Sequence, residues 1–374
     1  MPSIQDMEEG KPILEKVTEL EAFWGGWQWQ QAQDRALLAL NYKQRIKPFE
    51  LIIGNGPAVD HQGAIAILSG KEPNYRLPIT VQDMEQGAKM NKSERYISAI
   101  MREVDRRWRD RGHGPWLHDF FYYGTLGAVC LFPRIVKRRG QPAEFHCDIL
   151  DPMNVFPSFG ERGLERVARV YETSYDDAYS MALSNGWDAT KIEKRPASQE
   201  VKITSYWDMG DATKEEDVNT PYNSVLIDGV ILKPRTREGQ FSRIPLVILP
   251  FNGVPWRAYN NPFFETTGST HSSPQENWVE QWGRPIFWMN RELYRALDRI
   301  MSYEAERARR AAYSKYLALT ADGQIHLTEE EFQKAEIITL NVTEGESLTP
   351  IQPASEPREA RELRAELFSM MQRG

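Results

Sequence analysis

Cysteine is nearly absent from this chain. Only Cys130 and Cys147 occur in 374 residues. Two thiols exclude a disulfide scaffold, and both sit in predicted strands, where they read as buried free thiols. The six histidines, His61, His113, His118, His146, His271 and His326, fall in no H-E-x-x-H or Cys/His ligand spacing. His146 and Cys147 are neighbours in a strand, so they point to opposite faces and do not share a metal. No apolar run approaches the length of a membrane span. The acidic start, with Glu8 and Glu9, lacks the pattern of a secretory signal. A phosphate-cradling loop is missing too. Gly54-Asn55-Gly56 is too short, and no Lys-Ser or Lys-Thr follows it, which argues against a P-loop ATPase. There is no G-x-S-x-G elbow, no low-complexity segment and no internal repeat. Basic excess is also lacking. The net charge is -7, which disfavours tight, sequence-independent binding of DNA but is compatible with a surface past which DNA slides. The main local exceptions are the Arg-rich stretches 102–111 and 284–310 and the run Lys137-Arg138-Arg139.

What is present is globular. Hydrophobic residues make up 41% and charged residues 26% of a chain long enough for two or more domains. Aromatics are dense, but Trp24-Gly25-Gly26-Trp27-Gln28-Trp29 has no interleaved basic residues, so it reads as core or subunit contact and not as a base-stacking platform. His118 and Asp119 can be drawn as an acid/base pair. Flanked by Trp116, Phe120 and Phe121, they read instead as packed structural residues. Asp105, Asp110 and Asp119 are carboxylates that nothing fixes together.

The first third is mostly helical, with helices expected at about 12–24, 29–46, 57–68 and 84–111. Asp83 or Asn91 is the expected cap of the last, and Ile97, Ile100, Met101, Val104 and Trp108 its apolar stripe. A helix from Trp116 to Tyr123 ends near Gly124 and gives way to a strand from Leu126 to Phe132. From about 125 to 250 the chain is strand-rich. Asp228-Gly229 between Leu226-Ile227 and Val230-Ile231 signals a hairpin. A helix from Asp176 to Asn185 stops at Gly186. Tyr259 to Gln275 reads as a long loop.

The most distinctive stretch is Gly283 to Thr320. It reads as one long helix running into a short apolar strand, with Ile286, Leu293, Leu297, Ile300, Ala308 and Ala312 as the helix's apolar stripe. Between Arg284 and Arg310 it carries seven Arg, four acids and no Lys. Such a helix is too polar to be buried all round and suits packing against copies of itself. A strand from Tyr316 to Thr320 follows, then a turn at Ala321-Asp322-Gly323-Gln324. Thr328 to Glu331 is a capping box opening a short helix, and Glu336 to Val342 returns as a strand. A last amphipathic helix runs from about Pro357 to Arg373, with Ala360, Leu363, Leu367 and Met370 on one face.

This order, helix, strand-helix-strand tip, helix, resembles the stem and clip of bacteriophage portal proteins, the head-to-tail connectors. Upstream, Asp151-Pro152-Met153-Asn154-Val155-Phe156-Pro157 and Ile244 to Asn252 extend the resemblance over roughly residues 90 to 374. It implies an α+β, portal-like fold. The wing would span 1–282, helical over 1–124 and strand-rich over 125–282. The first stem helix would be 283–315, the clip 316–352 and the second stem helix 353–374. The chain stops near where the family's tunnel loop begins. The implied function is a ring, usually of twelve copies, at the capsid vertex of the virion, assembled in the host cytoplasm. It passes double-stranded DNA without sequence specificity during packaging and ejection. Terminase and then tail adaptors dock on it, and capsid and scaffold proteins surround it. The resemblance implies no enzyme, no cofactor, no metal and no membrane span. Arg291, Glu292, Arg295, Asp298, Arg299, Glu306 and Arg310 are then expected at the stem's subunit interface, and Glu329, Glu330, Glu331 and Phe332 at the docking surface of the clip. Two other readings remain: a hydrolase or nuclease of mobile-element origin using Asp/His chemistry, and an oligomeric scaffold without a channel.

Overall fold

The structure is a computed structural model. It describes residues 4–41, 52–70, 73, 87–136, 143–160, 163–210, 220–239, 241–253, 282–312, 315–319, 347–351, 362, 364–367 and 369–370. The fold is a mixture of helix and antiparallel sheet, an α+β protein. It forms two compact units. The first comprises Met1–Ala39 with Ala58–Trp288, the second Leu40–Pro57 with Met289–Gly374.

The first unit opens with α1, Ile4–Leu38, a single helix where two were expected. Gly25 and Gly26 cost about 1 kcal/mol each in a helix interior, yet they do not break it. The reason is packing: Val17, Leu20, Trp24, Trp27, Gln31, Asp34 and Leu37 are buried at spacings of three or four, a continuous helical stripe. Its indoles are anchored by hydrogen bonds. Trp24 Nε1 donates to the Pro157 carbonyl and Trp27 Nε1 to the Trp282 carbonyl, each at 2.7 Å. Gly10 lies where the Gly229 carbonyl approaches so closely that a Cβ would meet it at 2.6 Å. Leu40, at φ +54, follows the helix, so the helix expected over 29–46 is shorter at this end.

Three more helices follow: α2 Gly56–Ser69, α3 Gly87–Asp110 and α4 Trp116–Thr125. In α3, Val104 and Trp108 are buried with Trp116, Cys147 and Ile149, and Ile100 and Met101 pack alongside. Asn91 lies within this helix and is not its cap; Asp83 lies outside the described residues. A three-stranded sheet comes next, order β2-β1-β8, from β1 Ala128–Val136, β2 Glu144–Leu150 and β8 Val247–Pro250. A five-stranded antiparallel meander, order β3-β4-β5-β6-β7, is made of β3 Val155–Gly160, β4 Gly163–Ser174, β5 Glu200–Asp208, β6 Tyr222–Ile227 and β7 Val230–Arg237.

Local sequence explains the joints. Asp228 (φ +46) and Gly229 (φ +85) both take positive φ, the type I′ turn that the twist of a two-residue hairpin selects. Helix α5, Tyr175–Ser184, is capped by Ser174, which accepts from the Asp177 N–H. It ends in a Schellman motif: Gly186 N–H donates to Leu183 and Trp187 N–H to Ala182. Cys130 and Cys147 are both free and buried. They lie on paired strands out of register, Cys130 opposite Leu150 and Cys147 opposite Pro133. Burial pushes both thiols up, Cys147 to about 11.

In the second unit, helix α6 runs Arg291–Ala312 after a single 3-10 turn at Trp288–Asn290. Strands β9 Lys315–Leu319 and β10 Ser347–Ile351 pair antiparallel. The helix thus begins several residues later than the expected 283, beyond Pro285. The partner of β9 is 347–351, while the return strand expected at 336–342 lies outside the described residues. So do the capping box at Thr328, the turn at 321–324, the loop 259–275 and Lys137-Arg138-Arg139. Residues 362, 364–367 and 369–370 are helical.

Candidate functional site

Helix α6 is where the sequence concentrates its charge, and the second unit decides which of those charges face out. The expected apolar stripe is not its buried face. Ile286 precedes the helix and is 38% exposed, Ala308 is exposed, and among the described side chains of that set only Leu297 is fully buried. The buried face is Tyr294, Leu297, Asp298, Ser302 and Glu306, positions that recur at helical spacing. Three of the five are polar. The physical reason is the partner they meet. Residues 52–54 run past the helix with their N–H groups unused in any sheet, and α6 supplies acceptors. Ile52 N–H donates to Ser302 Oγ at 2.9 Å, and Gly54 N–H donates to Asp298 Oδ1 at 2.8 Å. Acceptors one helical turn apart thus match donors two residues apart on an extended segment. Gly54 lets the segment approach closely, since a Cβ would sit tightly at 3.1 Å from Asp298 Oδ1 and 3.2 Å from the Met301 methyl.

Burial pushes the Asp298 carboxyl above its ordinary range, with the Gly54 hydrogen bond opposing. Its second oxygen, Oδ2, is buried without a hydrogen-bond partner. Asp298, expected at a subunit interface, is therefore only 3% exposed and engaged within its own chain. On the outward side, Glu292, Arg299 and Tyr303 are exposed. Arg295 pairs with Glu292 of its own helix at 3.2 Å. Further along, Arg364 Nη1 donates to Glu304 Oε2 at 2.6 Å and ties the C-terminal helical residues to α6. Arg291 and Arg307 are partly exposed. The side chain of Arg310, and all of Glu329, Glu330, Glu331 and Phe332, lie outside the described residues.

The chemistry-bearing residues of the first unit are engaged in structure. Asp119 Oδ2 accepts from Trp108 Nε1 at 2.7 Å, and Oδ1 lies 3.2 Å from His118 Nδ1. Asp105 accepts the Trp116 N–H at the start of α4 and pairs with Arg109. Asp110 pairs with Arg106. His61 is 1% exposed against the Tyr122 carbonyl, and burial pushes its pKa down. Trp24 and Trp27 are core, while Trp29 is 64% exposed. Among the described residues no group of His, Cys, Asp and Glu is placed to hold a metal ion, and no helix is long and apolar enough to cross a membrane.

Sequence reasoning missed Ser302, Gly54, Glu304 and Arg364. In the sequence Gly54 reads only as part of a loop too short to cradle a phosphate, while the structure uses it for close approach to α6. The polar positions 298, 302 and 306 share a helical face, and that spacing was the available signal. No protein-family model and no curated protein matches this chain.

Proposed function

We propose that this chain is a portal-type subunit: a ring-forming protein that gives double-stranded DNA a channel at a phage capsid vertex and offers terminase and tail adaptors a docking platform. One observation supports this reading above others. The second unit is a charged helix, an antiparallel strand pair and a second helical segment, with Arg364 of the last tied to Glu304 of the first. Among the described residues its outward face carries Glu292, Arg299 and Tyr303. Such a face suits lateral contact with copies of itself. The finer assignments, a wing up to residue 282, stem helices on either side of a clip, a dodecameric ring in the virion, and contacts with capsid and scaffold proteins, belong to this proposal. In it the protein performs no bond chemistry.

The deciding experiment is electron microscopy of the purified full chain. A ring with a central hole is expected. A monodisperse monomer, or a particle without a hole, sinks the reading. DNA binding should be weak at physiological salt, steeply salt-dependent and without sequence preference. Metal-dependent nicking abolished by an Asp substitution would instead promote the hydrolase reading.

A further inference from the structure

One face of the five-stranded sheet carries a row of polar side chains that the rest of the fold leaves between two covers. By register, Val167, Arg169 and Tyr171 of β4 lie on the same face as Ile203, Ser205 and Trp207 of β5 and Asn223, Val225 and Ile227 of β6. Helix α5 covers one end, packing Ala178 and Ala182 with Ile203, Val225, Ile227 and Tyr171. Strands β1 and β2 cover the other, packing Cys130 and Leu150 with Val167 and Trp207. Between these apolar covers lie Arg169, Ser205 and Asn223, continued by Lys233 of β7.

The row is built, not incidental. Asn223 Nδ2 donates to Ser205 Oγ at 3.3 Å, and Lys233 Nζ donates to Asn223 Oδ1 at 2.9 Å and pairs with Glu238. The Arg169 guanidinium lies 4.2 Å over the Tyr171 ring and has no carboxylate partner among the described residues. Burial pulls its pKa down, and it feels both Asp148 and Arg134. Asp148, on the facing sheet, is shared by Arg111 at 2.6 Å and Arg134 at 2.8 Å. Arg134 Nε is buried with no hydrogen-bond partner. Four cations (Arg111, Arg134, Arg169, Lys233) face two carboxylates (Asp148, Glu238), an excess of two positive charges in a chain of net charge -7.

We propose that this seam binds a phosphate group, with Arg169 and Arg134 as charge-assisted donors and Ser205 and Asn223 as neutral polar contacts. The Tyr171 and Phe132 rings back the two guanidinium groups. Arg111 and Arg134 open the seam to solvent at 38% and 41% exposure. The inference is independent of the ring reading.

The test is calorimetric titration of the full chain with inorganic phosphate and, separately, with a short DNA duplex. The variants are Arg169→Gln, Arg134→Gln and Ser205→Ala, with Arg195→Gln as a distant control and circular dichroism to confirm folding. Inorganic phosphate should bind, and Arg169→Gln should weaken it about tenfold or more, while Arg195→Gln leaves it unchanged. Duplex binding that Arg169→Gln weakens, without binding of inorganic phosphate, assigns the seam to the phosphodiester of a nucleic acid. If Arg169→Gln does not fold, Arg134→Gln and Ser205→Ala carry the same expectation. Binding of neither probe, or binding that none of the three seam variants weakens, overturns the proposal.

Discussion

The two units are held together by different physics. The first owns all four apolar clusters seen among the described residues, with Val129, Val167, Ala168 and Leu226 wholly excluded from water. The second has no such cluster among its described residues. Its described residues include two hydrogen bonds from the backbone of residues 52–54 to α6, an interhelical ion pair and a two-stranded ladder. A two-stranded pair is marginal in water by itself, and an exposed ion pair contributes about 0–1 kcal/mol. On the ring reading proposed above, the second unit is the part that assembles and the first the part that folds on its own core.

The strongest way to break this comparison is to truncate one aromatic in each unit. Trp27→Ala removes a side chain 3% exposed together with its hydrogen bond to the Trp282 carbonyl. It should cost about 3–5 kcal/mol in urea unfolding. Tyr303→Ala, at a site 52% exposed, should stay within about 0.5 kcal/mol in the monomer. A large loss from Tyr303→Ala in the monomer would mean that the second unit has a core of its own.

Ion pairs sharpen the same contrast. Arg35 and Asp151 form a two-pronged pair at 2.7 and 2.6 Å, with both side chains mostly buried, and Asp151 also caps the Met153 N–H. Asp151→Ala should cost about 2 kcal/mol, because the Arg35 charge is left partly desolvated. Glu304→Gln removes the charge from a more exposed pair and should cost less than about 1 kcal/mol. Equal losses in chemical denaturation would erase the distinction.

The clasp between α6 and residues 52–54 should respond to pH. Burial raises the Asp298 pKa in the folded state, so the fold holds that proton more tightly than the unfolded chain does. Stability from this group is therefore fully present below the ordinary aspartate range and is lost as pH rises through the raised folded value. Hydrogen exchange at the Ile52 and Gly54 amides should be better protected at mildly acidic than at neutral pH, after correction for intrinsic rates. Asp298→Asn should remove that dependence, with an effect of about 1 kcal/mol or less on stability. Protection that increases with pH would contradict the sign.

Much of the first unit was legible in sequence because its signals are local. Asp228-Gly229 dictates a type I′ turn whatever surrounds it, and Gly186 ends α5 through its positive φ. The stripe of α3 marks its own buried face at Val104 and Trp108. The single long α1 was not legible, because two glycines argue for a break and only the tertiary packing of Trp24 and Trp27 overrides them. The buried face of α6 was misread for a related reason. Hydrophobicity scores Asp298, Ser302 and Glu306 as outward. Only an extended segment some 250 residues away in sequence, offering its N–H groups, draws Asp298 and Ser302 inward. The polar seam around Arg169 was invisible altogether, since it is assembled from β4, β5, β6, β7 and the facing sheet.

The smallest effect per subunit tests the outward charges of α6. Arg299 is exposed, and Arg295 is tied to Glu292, which is itself 76% exposed. Reversing Arg295 and Arg299 together to Glu removes the intrahelical Arg295–Glu292 pair and leaves the buried face of Asp298 and Ser302 intact. Monomer unfolding should move by less than about 1 kcal/mol. In a closed ring the same change is repeated at every interface, so a small penalty per contact multiplies. Analytical ultracentrifugation should show the double variant shifted from ring toward monomer, and the shift should ease in high salt, where like-charge repulsion is screened. Arg295 and Arg299 would have no place in an interface if the double variant assembled as well as the parent at low salt.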